Sequence, residues 1–346
     1  MALESTHILD SLIRVGQNVE KNKIRLRQTY NSLANNYVNQ NDKNQAKYYY
    51  LLSLKLLKEQ GMNDLRDKSN YTTINHNLGF LYTSEGKYKE AIEVLTEAYD
   101  TQLTVLEESV TTDNKNILFN CAQQLGYTYG KVNNMDSCKL FFDKSVVLYQ
   151  ELIKENPQAF TEKGASLYNN IGAIYLNRHF FTEAEEAFSK ALGCAEAGFA
   201  ETQSLQNKIN IIVIRGALGA SITKISGRSR EGLNLIEQSL VEINPYYSKY
   251  KEVLKPFYVI LLLQKSNALI ECQDYETAMN TIDEAFVLLP VNADSWDIKG
   301  YIYTKLGNWD EAAKCWKKVV EINPDFLTQC ESDLYNALKA KGILSE

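Results

Sequence analysis

Apolar residues recur at helical spacing along nearly the whole chain and alternate with short polar turns. The stretch KEAIEVLTEAYDTQLTVLEESV, from Lys89 to Val110, shows the pattern clearly, with one apolar face and one charged face. A spacing of three and four residues is typical of amphipathic helices that bury one side against a neighbour. The pattern therefore predicts an all-α protein made of successive packed helices.

The clearest internal repeat relates residues 262–290 to residues 296–324 at a shift of 34 residues. Large, small and turn-forming residues coincide in this shift, namely Tyr275, Ala278 and Pro290 with Trp309, Ala312 and Pro324. Such self-similarity is the mark of a repeat array in which each unit contributes one helix pair.

The last unit, WDIKGYIYTKLGNWDEAAKCWKKVVEINP, resembles the tetratricopeptide repeat (TPR) family. The residues that carry the resemblance are Trp296, Gly300, Tyr303, Gly307, Trp309, Ala312, Trp316 and Pro324. The resemblance implies a right-handed superhelical α-solenoid of about seven TPR-like helix pairs, with N- and C-terminal capping helices. Most units are longer than the usual repeat, as in kinesin-light-chain-like TPR arrays.

Counting each unit from the residue three before Trp296 or its equivalent, positions 8 and 20 hold small residues, as expected where two antiparallel helices approach closely. Position 8 is Ala34, Gly79, Gly126, Gly172, Ala220, Ser266 and Gly300; position 20 is Ala46, Ala91, Cys138, Ala184, Gly232, Ala278 and Ala312. Position 24 holds the bulky fillers Tyr50, Leu95, Phe142, Phe188, Ile236, Ile282 and Trp316.

These columns predict the boundaries of the units and of the two caps. The predicted segments are a capping helix at 1–22, repeats at about 27–60, 72–110, 119–154, 165–197, 213–243, 259–290 and 293–324, and a capping helix at 325–346. The surplus length of the first units is expected to lengthen their helices. Pro245 is expected to follow a helix, and Pro256 to lie in the first turn of the next one.

Net charge and cysteine spacing indicate which partners and which cellular compartment to expect. The net charge is −6 and is spread along the chain, so no basic stripe is offered to nucleic acid. The six cysteines stand singly, which favours a reducing, cytoplasmic compartment. The start of the chain lacks a secretion signal, and the longest apolar run, Phe257 to Leu263, is too short to span a membrane.

No catalytic constellation is visible. The only histidines are His7, His76 and His179, and no HExxH, CxxC, Walker-type or GxGxxG string accompanies them. The sequence therefore predicts a protein that is not an enzyme, with no cofactor and no metal site.

In TPR proteins the first helix of each unit faces a concave groove, and the resemblance places groove-facing residues at positions 2, 5, 6, 9 and 13. In the first four units this surface is rich in amides and carries two aromatic platforms: Asn31, Asn35, His76, Asn77, Phe80, Gln123, Gln124, Tyr127, Asn169, Asn170 and Asn177. An asparagine can pair with both polar groups of one peptide unit, so these residues are predicted to bind an extended peptide. Solvated helix residues are the alternative.

The next two units place apolar residues in the same columns: Ile214, Leu218, Ile260 and Leu263. They predict an apolar groove or a homodimer seam. The alternative is burial between helices that deviate from the usual tilt.

The predicted function is a non-catalytic scaffold or adaptor that binds a peptide segment of another protein. A peptide-sensing regulator and a dedicated subunit of a larger complex are alternatives. The clamp that some TPR proteins use for a C-terminal carboxylate is not expected, because Asn31 and Leu263 stand where it requires lysine.

Overall fold

A computed structural model describes residues 2–62, 64–323 and 342, and in these residues every regular element is an α-helix. The predicted cap at 325–346 lies outside the described residues except for Gly342. The chain divides into two compact units, residues 1–163 and 164–346, with the division inside α8. The all-α prediction is confirmed for the described residues.

The helices of the first unit are joined by short turns. They are α1 (Ala2–Arg14), α2 (Val19–Asn39), α3 (Lys43–Gln60), α4 (Leu65–Ser84), α5 (Tyr88–Glu108), α6 (Thr112–Lys131), α7 (Met135–Glu155) and the start of α8 (Pro157–Asn177). Two apolar clusters lie in their interior, one containing Tyr50 and Leu78 and the other containing Leu95 and Leu125.

The second unit continues in the same manner. After the remainder of α8 come α9 (Phe181–Thr202), α10 (Leu205–Thr223), α11 (Ser229–Lys249), α12 (Lys251–Glu271), α13 (Tyr275–Leu288), α14 (Ala293–Lys305) and α15 (Trp309–Ile322). Its largest apolar cluster extends from Ile209 in α10 to Ile302 in α14.

Polar residues just ahead of the helices explain where many of them begin. The Asp42 carboxylate accepts a hydrogen bond from the Gln45 amide at 3.0 Å, and Thr111 and Ser204 cap α6 and α10 in the same way, at 3.1 Å each. Such side chains satisfy amides in the first helical turn that have no partner within the helix. These polar turn residues therefore mark the residue at which a helix begins more precisely than the apolar pattern alone does.

The extra length of the early units lies in their helices, as predicted. Helices α2 to α12 contain 18 to 22 residues, whereas α13, α14 and α15 contain 14, 13 and 14. The first helices of six predicted units begin seven or eight residues before the predicted starts, for example at Val19 and Leu65. The predicted starts follow the standard repeat, which lacks these two additional turns.

Three sequence predictions are wrong in detail. The predicted cap at 1–22 is a shorter helix that ends at Arg14, with α2 already begun at Val19. Pro245 does not end α11, which continues to Lys249, and Pro256 is the sixth residue of α12 rather than part of its first turn. Beyond Pro245, the Tyr247 ring stacks on Tyr258 with ring centroids 4.4 Å apart, and this packing outweighs the missing proline amide.

One helix in the described part of the chain, α12, is long and apolar enough by length and composition to cross a membrane. Half of its most apolar window is buried inside the protein, including Leu254, Leu261 and Leu269 in the main cluster of the second unit. A core helix of this kind passes the same test, so the finding is weak evidence for a membrane span.

Candidate functional site

Small residues at position 8 contact the bulky residues at position 24 of the same helix pair, a contact that the sequence columns did not predict. A Cβ atom placed on Gly79 would lie 2.3 Å from Leu95 Cγ, and one on Gly126 would lie 2.8 Å from Phe142 Cδ1. Gly172 meets Phe188 and Gly300 meets Trp316 in the same way. These contacts hold the two helices of each pair together and orient the remaining faces of the first helices.

Residues of α2, α3 and α4 line a cleft of about 230 Å³ in the first unit. Three predicted site residues, Asn35, Asn77 and Phe80, lie in its wall together with Val38, Asn39, Tyr50 and Leu81. The Phe80 side chain is 52% exposed, so one wall of the cleft is an open aromatic surface. The structure thus brings these predicted residues of two successive units to one site.

The Tyr50 hydroxyl joins the two asparagines. It donates a hydrogen bond to Asn35 Oδ1 at 2.5 Å and accepts one from Asn77 Nδ2 at 3.2 Å. Tyr50 itself is 1% exposed, and burial raises the pKa of its hydroxyl. Its rigid ring therefore fixes the orientation of both amides at the floor of the cleft.

Sequence reasoning assigned Tyr50 to the packing column and missed this role. A signal was present: position 24 is apolar in most units but ends in a polar group at Tyr50 and Trp316. Trp316 behaves similarly, because its Nε1 donates to Asp297 Oδ1 at 3.1 Å, and burial raises the pKa of that carboxyl to about 6. In both repeats, the polar end of the bulky side chain at position 24 forms a hydrogen bond with a side chain of a first helix.

The other predicted residues of the first unit lie on α2, α4 and α6. His76 Nδ1 lies 3.4 Å from Asn77 Oδ1, and burial lowers the pKa of the imidazole. Gln123, Gln124 and Tyr127 are half-buried on α6, with Lys131 Nζ 5.3 Å from the Tyr127 ring centroid. Asn31 is half-buried too, and its Oδ1 is a buried atom without a hydrogen-bond partner among the described residues.

The predicted asparagines of the fourth helix pair lie in the second compact unit, residues 164–346. Asn169 and Asn170 are half-buried in α8, and Asn177 is exposed at its last position. They remain predictions as peptide contacts, because no side-chain interaction among the described residues links them to a site.

The predicted apolar groove is not open. Ile214, Leu218 and Leu263 are 5%, 8% and 9% exposed and belong to core clusters, whereas Ile260 is 42% exposed. The alternative of burial therefore describes three of the four residues. The apolar surface on which a homodimer seam was predicted is reduced to Ile260.

A one-residue error in register explains the burial of Ile214 and Leu218. A Cβ atom on Gly219 would lie 2.6 Å from the Gly232 carbonyl oxygen and 2.8 Å from Ile236 Cγ1, so Gly219 occupies the packing position assigned to Ala220. The turn after α10 is one residue longer than the alignment assumed. Leu218 consequently moves from a groove column to the adjacent buried column.

The comparisons with known proteins agree with this architecture. Two family models described as "Tetratricopeptide repeat" match residues 72–103 and 294–326. No curated protein sequence matches the chain. The match at 72–103 covers most of α4 and most of α5, and the match at 294–326 includes the unit from which the resemblance was inferred.

Several solved structures are similar to this chain in fold. A tetratricopeptide repeat protein from Parabacteroides merdae ATCC 43184 has 15% identity and a TM-score of 0.53, covering 90% of this chain and 96% of its own. The apo form of RapI has 12% identity and a TM-score of 0.57, covering 87% and 98%. The Q17M form of a putative kinesin light chain from Podosopora anserina has 14% identity and a TM-score of 0.45, covering 64% and 95%.

The fold is thus an all-α solenoid, and residues 72–103 and 294–326 match the tetratricopeptide repeat. Proteins built on this repeat generally bind other proteins or peptides, and repeat scaffolds of this kind are generally non-catalytic. In the described residues, no three His, Cys, Asp or Glu side chains are grouped to hold a metal ion.

Proposed function

We propose that this protein is a non-catalytic scaffold that binds an extended peptide segment of a partner protein, and that the cleft of α2, α3 and α4 is part of the binding site. The observation that carries the proposal is the pair of amides, Asn35 and Asn77, fixed by the Tyr50 hydroxyl beside the exposed Phe80 ring. Oriented amides can pair with peptide backbone groups, and an exposed aromatic ring can cover an apolar side chain.

Pre-orientation favours binding over simple solvation of these asparagines. A side chain already fixed by a protein hydrogen bond loses less conformational entropy when a ligand arrives. Asn35 Oδ1 is engaged by Tyr50, which leaves the Asn35 amide nitrogen for an acceptor on the ligand. Asn77 Oδ1 lies 3.4 Å from its partner His76 Nδ1, and its second lone pair can accept a hydrogen bond from a donor on the ligand. One cleft thus presents a donor and an acceptor side by side.

The test is selection from a phage-displayed library of random 12-residue peptides against the full-length chain, followed by titration of synthetic copies of the selected peptides. We expect Asn77→Ala to weaken the binding of these peptides about tenfold, because an oriented hydrogen-bonding group is lost. Asn44→Ala, an exposed amide on α3, is the matched control and should leave affinity unchanged. Circular dichroism of both variants would verify the fold.

A library that yields no peptide dependent on Asn77 would contradict the proposed site. Peptides that bind equally to the Asn77→Ala variant would place binding elsewhere on the molecule.

We also propose a cytoplasmic setting for this scaffold. The support is the spacing of the cysteines, and the five in the described residues are free thiols. Fluorescence microscopy of a tagged full-length chain would test the location, and an extracellular or periplasmic signal would contradict it.

A further inference from the structure

Lys163, in the second turn of α8 and at the end of the first unit, is a half-buried cation without a carboxylate partner among the described residues. Its Nζ lies 3.4 Å from Asn120 Oδ1 on α6. The ammonium also lies 5.7 Å from the centroid of the Phe119 ring and 6.0 Å from that of Phe160. An amide oxygen and two ring faces only partly replace the water removed from a charged group.

Two other half-buried lysines of the first unit have carboxylate partners. Lys47 has a side chain 14% exposed and contacts Glu85 at 2.6 Å, and Lys115, 16% exposed, contacts both Glu151 and Glu155. The difference appears in the pKa of each amine. Carboxylates raise the pKa of Lys115, whereas burial lowers the pKa of Lys163.

The surroundings of Lys163 connect it to the proposed peptide site. Lys163 Nζ lies 3.4 Å from the side chain of Asn120, and the backbone of Asn120 interacts with His76. His76 Nδ1 in turn lies 3.4 Å from Asn77 Oδ1. Burial lowers the pKa of His76, so the imidazole is neutral near pH 7 and Lys163 supplies the positive charge at this place. The amide of Asn77 is therefore connected, through His76 and Asn120, to the Lys163 ammonium, which has no carboxylate partner among the described residues.

We propose that Lys163 binds an acidic side chain, Asp or Glu, at one position of the partner peptide. This inference rests on the proposed function and adds a sequence preference to it. A carboxylate would pair with the ammonium at a partly desolvated position, where charge-assisted hydrogen bonds are strongest. A phosphate group is disfavoured because single lysines are less suited to it than the arginine clusters that usually recognise phosphopeptides.

The test uses the same phage-displayed 12-residue library, in which the peptides have no free C-terminal carboxylate. Among peptides that depend on Asn77, we expect Asp or Glu to be enriched at one position when the full-length wild-type chain is the bait. The enrichment should disappear with Lys163→Met and persist with Lys163→Arg. Lys139→Met, which removes an exposed lysine on α7, is the matched control.

A double-mutant cycle with a selected synthetic peptide measures the contact directly. Replacing the enriched Glu by Gln should weaken binding to the wild-type chain about tenfold and leave binding to Lys163→Met nearly unchanged. Equal losses on both proteins, or Asn77-dependent peptides with no acidic position, would overturn this inference and leave the proposed function intact. A library with no Asn77-dependent peptide would overturn both.

Discussion

Corresponding groove positions have different environments in the two compact units, residues 1–163 and 164–346. In the first unit, Asn35, Asn77 and Phe80 remain at an open cleft, and a buried tyrosine orients the amides. In the second unit, Ile214, Leu218 and Leu263 are covered by the core of the unit. The same repeat therefore supports a polar recognition surface in one unit and additional core in the other, depending on the side chains in each column.

The closeness of helix approach differs as well. In the first unit, Gly79 and Gly126 face side chains, Leu95 and Phe142, which can adjust. In the second unit, Gly219 and Gly232 bring backbone against backbone, since a Cβ atom on Gly232 would lie 2.3 Å from the Gly219 carbonyl oxygen. Close backbone contact leaves the second unit less room for substitution.

The strongest test of this comparison is to truncate Leu218. We expect Leu218→Ala to lower the free energy of unfolding by about 3 kcal/mol, because it removes a core side chain and leaves a cavity. Ile260→Ala, at the exposed residue of the same predicted groove, should change it by less than about 0.5 kcal/mol. Urea unfolding followed by circular dichroism measures both. A small effect of Leu218→Ala would mean that this face is open.

The second test concerns the glycine contacts. Gly232→Ala should destabilise the protein by about 3 kcal/mol, because the new methyl group meets backbone that cannot move aside. Gly79→Ala should cost less, since Leu95 can rotate. Gly193→Ala on α9, where no atom lies within 4 Å, should stabilise its helix by up to about 1 kcal/mol. The thermal midpoint should be lowest for Gly232→Ala, higher for Gly79→Ala and highest for Gly193→Ala. Equal losses of stability for Gly232→Ala and Gly79→Ala would contradict the difference between backbone and side-chain contacts.

The third test uses the buried carboxyl of the second unit. Burial raises the pKa of Asp297 from 3.8 to about 6, so the folded protein holds this proton more tightly than the unfolded chain. The stabilisation is complete below about pH 4 and is lost as the pH rises through about 6, a change of about 3 kcal/mol. Urea titrations of the wild type and of Asp297→Asn at several pH values isolate this contribution.

The difference in unfolding free energy between those two proteins should therefore vary with pH between 4 and 7, in the sense that the wild type loses stability relative to Asp297→Asn as the pH rises. A difference that is flat over this range would show that the carboxyl is hydrated.

The smallest expected effect belongs to the cleft of the first unit. Tyr50→Phe keeps the buried ring but removes the hydroxyl that joins Asn35 and Asn77, so we expect a loss of about 1 kcal/mol in stability. Tyr48→Phe, at a side chain that is 55% exposed, is the control and should have no measurable effect. If both variants are equally stable, the Tyr50 hydroxyl does not organise the cleft.

Part of the candidate site was predictable because groove positions follow from the repeat register. Asn77 and Phe80 lie at the cleft since Gly79, between them, defines the register through its contact with Leu95. The register failed at Leu218 because the turn after α10 has one additional residue, which shifts every column on that helix. A shift of one residue rotates a helical side chain by about 100° and moves it from the groove to the core.

The sequence by itself determined the helical class, the columns of small and of bulky residues and the lengthening of the early helices, because these depend on local spacing and side-chain size. Only the tertiary structure decided that Tyr50 orients two amides, and that Ile214, Leu218 and Leu263 are core residues. It also decided that Lys163 is half-buried with no carboxylate partner in the part of the chain that the structure describes. These outcomes depend on which atoms of distant residues meet. Spacing along the chain limits those contacts without specifying them.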